Sequence, residues 1–132
     1  PEQELKHIEI KKSEIVIRSK IFFALGSDRI ERRSYPTLDE VVSILVSNPD
    51  INMAIEGHTD SQGNRLSNIN LSQRRANSVV KYLVGKGISE NRLTAKGFGP
   101  DQPIAYGDSA EDHEQNRRVE FKVVRKDKEA VD

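Results

Sequence analysis

One stretch of the chain, residues 55–83, constrains the fold more than any other. It reads as the end of an apolar strand, a polar loop rich in Ser, Asn and Gly, and an amphipathic helix. We predict that the strand spans 51–58 and that the helix begins at Ser72. The apolar residues of the helix recur at helical spacing, and they are Ala76, Val79, Val80, Leu83 and Val84. A strand followed by such a helix indicates helices packed on a sheet.

Other periodic segments predict the remaining elements. Isoleucines at 8, 10, 15 and 17 alternate with polar residues, which is typical of a strand or of a hairpin that turns at 11–14. A second helix follows Pro36, and its apolar stripe is Leu38, Val41, Val42, Leu45 and Val46. Strands are predicted at 92–98 and 116–124, with a short helix capped by Ser109 between them. The expected architecture is an α/β (α+β) sandwich with helices packed on a mixed sheet.

Composition limits the class of protein. The chain has 132 residues, and 21 acidic residues balance 21 basic ones, so the basic excess of a nucleic-acid-binding protein is absent. It has no cysteine, which excludes disulfides and thiolate metal sites. We expect one domain at 15–124, preceded by a polar lead with a possible first strand at 1–14 and followed by a charged tail at 125–132. Because the chain begins at Pro1, we expect any membrane anchor or export signal to lie upstream.

Two charged residues suggest a binding site. Asp60 follows the predicted strand by two residues, where ligands gather in open α/β sheets. Arg75 lies about 100° from the centre of the helix stripe, so its stem can follow the core while its guanidinium reaches the rim. In a first helical turn, free N–H groups would add to its attraction for a carboxylate. The pair predicts a clamp for a zwitterion; equally, Asp60 could cap the following turn while Arg75 forms a surface ion pair.

An enzyme is the less favoured interpretation. Glu56, His58 and Asp60 could act as metal ligands or as acid and base groups, but no hydrolase, metalloprotease or phosphate-loop motif accompanies them. We therefore expect His58 to be a structural residue that hydrogen-bonds the loop. Of Arg117 and Arg118, we expect one at the rim of the pocket and the other in a surface ion pair.

Several motifs together resemble one known family. They are Glu56-Gly57-His58-Thr59-Asp60, then Asn68, Leu71-Ser72, Arg75-Ala76 and finally Asn116-Arg117-Arg118-Val119-Glu120. In this order they are similar to the signature of the OmpA-like peptidoglycan-binding domain, found in OmpA porins, the peptidoglycan-associated lipoprotein and the stator protein MotB. The resemblance extends over roughly residues 15–124 and implies the family's βαβαβ(α)β fold.

The resemblance also implies a ligand, the diaminopimelate group of the peptidoglycan stem peptide. Asp60 would bind its ammonium group and Arg75 its carboxylate. The supporting positions would be Thr59, Asn68, Leu71 (through its backbone), Ser72 and Arg117. Binding would be non-covalent, without metal, cofactor or catalysis. The implied role is to anchor an outer-membrane or membrane-tethered parent protein to the cell wall from the periplasm.

The chain departs from the family pattern at three places. Ala24 stands where the family often has Asp, Ser67 where it has Tyr, and Asp112-His113 where it has Gly-Arg. We expect the first and last of these to alter the rim of the pocket and the ligand preference. An alternative role with the same fold is an envelope protein–protein interaction domain. Exposed Tyr106 and the loop 99–107 would then contact a periplasmic partner.

Overall fold

Five strands and three α-helices make up the part of the chain that a computed structural model describes, residues 8–11 and 14–125. The strands are β1 (Ile8–Lys11), β2 (Glu14–Ser19), β3 (Ile51–His58), β4 (Leu93–Gly99) and β5 (Arg118–Arg125). The helices are α1 (Tyr35–Ser47), α2 (Arg65–Gly85) and α3 (Ala110–Asn116). Residues 126–132 of the predicted tail and most of the predicted lead lie outside the described residues, so both domain boundaries stay predictions.

The strands form one mixed sheet in the order β1-β2-β5-β3-β4. β3 and β4 are parallel, and all other neighbours are antiparallel. The predicted α/β sandwich and the hairpin at 11–14 are both confirmed, the latter by the pairing of Lys11 with Glu14. His58 at the end of β3 pairs with Arg118 in β5 and with Gly99 in β4. Three strand ends therefore meet at one edge of the sheet.

The core lies between the helices and one face of the sheet. Its fully buried members include Met53, Ile55, Phe121, Leu38, Leu45, Val79 and Leu83. They are the inward positions of β3 and β5 and the predicted stripes of α1 and α2. Val46 and Val84 were predicted in the same stripes, but they lie in the last turns of their helices and are exposed.

Helix α2 lies unusually close to the strands because glycines face it. A Cβ atom added at Gly97 would lie 2.2 Å from the backbone nitrogen of Gln73, and one at Gly57 would lie 2.5 Å from the carbonyl oxygen of Ser72. The Ser72 hydroxyl completes this contact, since it accepts a hydrogen bond from the N–H of Gly99 at 2.9 Å. This close packing brings Arg75, one turn further along α2, to the sheet edge where the strand ends meet.

The start of α2 differs from the prediction. The helix begins at Arg65 and not at Ser72, and the Asn64 side chain caps it by accepting from the N–H of Ser67 at 2.8 Å. Arg65 forms a bidentate ion pair with Asp101, with distances of 2.9 and 2.7 Å. The cap and the ion pair stabilise a first turn that is mostly polar. The apolar stripe, on which the prediction was based, does not extend into this turn. Arg75 therefore lies inside the helix, and the expectation that free N–H groups of the first turn surround it was wrong.

Candidate ligand-binding site

Arg75 is a half-buried cation held by backbone carbonyls. Its Nε donates to the carbonyl oxygen of Ser27 at 2.8 Å, and its guanidinium lies 4.8 Å from the centre of the Phe23 ring. Among the described residues, no carboxylate forms an ion pair with it. Burial, and then the charge of Arg74, lower its pKa, while Asp28 partly offsets them. A desolvated guanidinium without a carboxylate partner is a receptor for an anion.

The turn between residues 23 and 30 positions that guanidinium. Phe23 and Ile30 form an isolated β-bridge, and Ala24 is hydrogen-bonded to Arg29 across the turn. The carbonyl oxygen of Ala24 lies 3.5 Å from Nη2 of Arg75, so this departure from the family pattern sits at the rim of the site. The sequence analysis expected Ala24 to alter the rim of the pocket, but it did not predict that the carbonyl groups of this turn would hold Arg75. Within the turn, Gly26 adopts a positive φ of 63°.

Asp60 is buried and makes two contacts. One carboxylate oxygen accepts from the N–H of Gln62 at 2.9 Å, and the other lies 2.5 Å from Nη1 of Arg117. The alternative interpretation was that Asp60 caps the following turn while Arg75 forms a surface ion pair. The cap is present, but the ion pair is not, since Arg75 pairs with no carboxylate in the described part of the chain. Arg117 was expected at the rim of the pocket, and its side chain is 49% exposed there.

Arg75 and Arg117 line one small cavity at the sheet edge. Its volume is about 40 Å³, and Phe23, Ser72 and Gly57 contribute to its wall. The space holds roughly one carboxylate group, since a water molecule takes about 30 Å³. Two guanidinium groups therefore face a space of carboxylate size. Asp60 is not part of the cavity wall, but its ion pair with Arg117 puts an acidic group next to this basic cavity.

The supporting residues predicted for the site have different places. Thr59 donates through Oγ1 to the carbonyl oxygen of Asp60 at 2.8 Å, and Asn68 donates to the carbonyl oxygen of Gln62 at 2.8 Å. Both bonds order the segment that presents Asp60. Leu71 lies in the second turn of α2, beyond the free N–H groups of the helix start. The hydroxyl of Ser72 is used between α2 and β4, as described above.

A cluster on the outer face of the sheet was the predicted alternative metal site. The structure groups Glu56 and His58 with Glu120, all within 4.8 Å, and not with Asp60. Lys122 lies 3.3 Å from Glu56, while Arg118 and Arg18 lie 2.7 and 3.1 Å from Glu120. A metal ion would have to displace these cations, so the cluster does not fit a divalent ion.

The same cations control the two carboxyl groups of the cluster. Burial alone would raise the pKa of Glu120, but the guanidinium of Arg118 outweighs it and holds that pKa below its usual value. Burial likewise opposes the effect of the neighbouring His58 and Lys122 on Glu56, and its pKa is also lowered. The cluster is thus a charged, structural contact between β3, β5 and β2.

His58 and Arg118 correct two expectations. The His58 ring stacks on Phe98 with centroids 5.4 Å apart, and neither ring nitrogen has a hydrogen-bond partner in the described part of the chain. Its predicted hydrogen bond to the loop is therefore wrong. One of Arg117 and Arg118 was expected in a surface ion pair. Arg118 does pair with Glu120, but its side chain is only 6% exposed, so this pair is buried and not at the surface. It also donates to the carbonyl oxygen of Gln102 at 2.8 Å, so the loop after β4 covers it.

Fold and site together define an α/β domain that carries a cation-lined cavity at one sheet edge. The model of the OmpA family matches residues 22–117. The peptidoglycan-associated lipoprotein of Buchnera aphidicola is 33% identical over 98 residues, which cover 74% of this chain and 57% of that protein. Outer membrane protein A of Bordetella avium is 36% identical over 112 residues, or 85% and 58% of the two chains. The chain belongs to the OmpA family.

A solved structure is similar over nearly its whole length. The cell wall anchor of the T6SS from Pseudomonas aeruginosa superimposes with a TM-score of 0.76 at 26% identity, covering 94% of this chain and 92% of that one. The predicted OmpA-like fold is thereby confirmed. The chain spans somewhat more than half the length of the curated relatives it matches. Within the described ranges, none of the helices combines the length and apolar character needed to cross a bilayer.

Proposed function

We propose that this domain binds peptidoglycan non-covalently, through the diaminopimelate group of the stem peptide. The observation that carries the proposal is Arg75, a half-buried guanidinium that opens with Arg117 on a cavity of carboxylate size. The names of two similar proteins support it, one a peptidoglycan-associated lipoprotein and the other a cell wall anchor.

Diaminopimelate presents an ammonium group and a carboxylate on one carbon atom. Arg75 receives the carboxylate in the cavity, where its planar fork suits two oxygens. Asp60 receives the ammonium group with its carboxylate, which also pairs with Arg117. Arg117 is half-exposed and lines the same cavity as Arg75, so its remaining N–H groups are donors for the ligand carboxylate. Charge complementarity over a short distance then selects a zwitterion against a simple amine or a simple acid.

This site supplies binding and no chemical step. The Arg75 guanidinium stays protonated at physiological pH, so it cannot act as a general acid or base. Asp60 is engaged with Arg117 and with the N–H of Gln62. We infer that neither a metal nor a cofactor takes part, because charge pairing alone accounts for recognition.

The biological role that follows is anchoring. A domain that binds a repeating polymer gains from the high local concentration of sites, so modest affinity per site is sufficient. We propose that the domain lies in the periplasm and that a segment outside this chain attaches it to the outer or inner membrane. It would then hold its parent protein to the cell wall.

Calorimetric titration with muropeptides tests the proposal. A peptide with lysine in place of diaminopimelate keeps the ammonium group but lacks the second carboxylate. Arg75 would then stay unpaired, and we expect about 30-fold weaker binding or more. Equal binding of the two peptides would overturn the proposal.

Variants locate the binding at the predicted residues. Asp60→Asn and Arg75→Ala should both lose binding of the diaminopimelate peptide while circular dichroism stays unchanged. Arg74→Ala is the matched control, because Arg74 is the exposed neighbour of Arg75 on the same helix. The titration is repeated with a chelator present, where we expect the same affinity. Loss of binding in chelator would instead point to a metal-dependent site.

A further inference from the structure

One long edge of the sheet is the free side of β4. This strand is last in the strand order, and β3 is its only strand neighbour in the described part of the chain. In an edge strand, every second residue turns its N–H and C=O groups away from the sheet, where a strand of another chain can pair with them. In β4 the hydrogen bonds to atoms outside the sheet identify these residues as Leu93, Ala95, Gly97 and Gly99.

The Gln73 side chain covers the middle of this edge. Its Oε1 accepts from the N–H of Gly97 at 2.9 Å, and its Nε2 donates to the carbonyl oxygen of Ala95 at 3.1 Å. Nε2 also donates to Oδ1 of Asn77 at 3.1 Å, which fixes the orientation of the amide. One amide therefore fills an acceptor and a donor two residues apart, as a residue of a neighbouring parallel strand would.

The two ends of the edge are closed as well. At one end the N–H of Leu93 donates to the carbonyl oxygen of Glu90. At the other end the N–H of Gly99 donates to the Ser72 hydroxyl at 2.9 Å. Ser72 and Gln73 are consecutive residues of α2, and they reach the edge because the glycine at position 97 lets the helix approach so closely. Side chains of one helix thus stand in for a further strand.

The helix backbone alone does not fill the space beside β4. A cavity of about 310 Å³ lies between α2 and the segment that precedes β4, and its lining residues are Asn77, Val80, Lys81, Val84 and Glu90. Since Asn77 hydrogen-bonds the Gln73 amide, the cavity adjoins that amide. Removal of the amide would therefore leave room beside the edge.

A second copy of β4 fits this edge. Two identical strands pair antiparallel about a two-fold axis, and a register centred on Ala95 places Thr94 opposite the second copy's Lys96. The same register places Leu93 opposite the second copy's Gly97. Small and apolar side chains then meet on the face towards α2, and no like charges are opposed on the other face. Cross-strand neighbours of this kind are compatible with pairing.

We propose that Gln73 blocks the β4 edge against a second copy of this chain. Its amide occupies the positions at which the second β4 would pair, and this keeps the domains from associating edge to edge. The block matters most where many copies are concentrated on one surface, because a high local concentration favours even weak pairing. The inference goes beyond the proposed function, since the contacts of Gln73 involve neither Asp60, Arg75 nor Arg117.

Sedimentation velocity over a range of protein concentrations tests the block. Gln73→Ala removes the amide and keeps a strong helix former, so we expect the variant to self-associate about tenfold more tightly than the wild type. Gln73→Met retains the length of the side chain without its amide and should behave in the same way. Asn70→Ala is the matched control, because it removes an exposed amide from the same helix and should sediment like the wild type. If both folded Gln73 variants sediment like the wild type, the proposal is overturned.

A second substitution locates the association at β4. In the register centred on Ala95, Thr94→Lys opposes like charges across the pair, so Gln73→Ala/Thr94→Lys should return to the association of the wild type. Hydrogen exchange gives an independent readout. The Gly97 amide of dilute Gln73→Ala should exchange about tenfold faster than in the wild type, and the Ala95 amide should become protected as the protein is concentrated. Association that persists in the double variant, or that leaves the Ala95 amide unprotected, would show that another surface is responsible and would refute the inference.

Discussion

Arg117 forms an ion pair with Asp60, Nη1 to Oδ2 at 2.5 Å, and at the same time lines the cavity that Arg75 enters. One side chain thus links the Asp60 carboxylate, which we propose binds the ligand's ammonium group, to the Arg75 cavity, which we propose binds its carboxylate. The sequence predicted a clamp of two residues, Asp60 and Arg75. In the structure Arg117 connects these two residues, and we propose it as a third member of the clamp.

Replacing Arg117 tests that connection. Arg117→Gln should weaken binding of a muropeptide that ends at diaminopimelate by about tenfold, because one charged donor is lost and Asp60 loses its orientation. The free energy of unfolding should change by less than about 1 kcal/mol, since the ion pair is partly exposed to solvent. Titration and urea unfolding measure the two quantities. Unchanged or tighter binding would show that Arg117 only shields Asp60.

The shape of the guanidinium at position 75 should matter as much as its charge. Arg75→Lys keeps a cation but loses the planar fork and the N–H group that donates to Ser27 at 2.8 Å. We expect affinity for the diaminopimelate peptide to fall about tenfold or more. Arg74→Lys, one residue away and exposed, should bind like the wild type. Full affinity in Arg75→Lys would mean that a point charge suffices.

Close packing of α2 on the sheet predicts a sharp difference between two glycines. In Gly97→Ala the new Cβ atom would lie 2.2 Å from the Gln73 nitrogen, so α2 must move away. We expect a loss of about 3 kcal/mol or more in the free energy of unfolding. Gly85→Ala at the end of the same helix meets no atom within 4 Å and should be neutral or slightly stabilising. Similar stability of the two variants in urea would contradict this packing.

Acid should destabilise the fold through the outer cluster. The pKa values of Glu56 and Glu120 lie below their usual 4.5 in the folded state, so as pH falls the unfolded chain takes up these protons first. Their contribution to stability is therefore fully present above about pH 4.5 and is lost as the pH falls through the folded-state values. Urea unfolding at a series of pH values, with NMR titration of the carboxyl groups, measures both effects. Titration of Glu120 above its usual value would refute the assignment.

Much of the fold and part of the site could be predicted from local pattern. The alternation in β3 and the apolar stripe of α2 both arise because one face of each element is buried. The first pattern located Asp60 just after a strand, and the second located Arg75 at the border of the helix stripe. The same patterns did not show where α2 begins. Its first turn is held by the Asn64 cap and by the ion pair between Arg65 and Asp101, and no apolar stripe marks it.

By itself, the sequence determined most of the elements, the family and two of the charged residues of the proposed clamp, because periodicity and motif spacing are properties of neighbouring residues. Only the tertiary structure decided what those charges meet. Arg117 and Arg118 are adjacent in the chain, yet one reaches Asp60 at the rim and the other is buried against Glu120. Their partners are set by strand order and by the loop that covers β5. Contacts of this kind depend on distances between segments far apart in sequence, which local pattern does not encode.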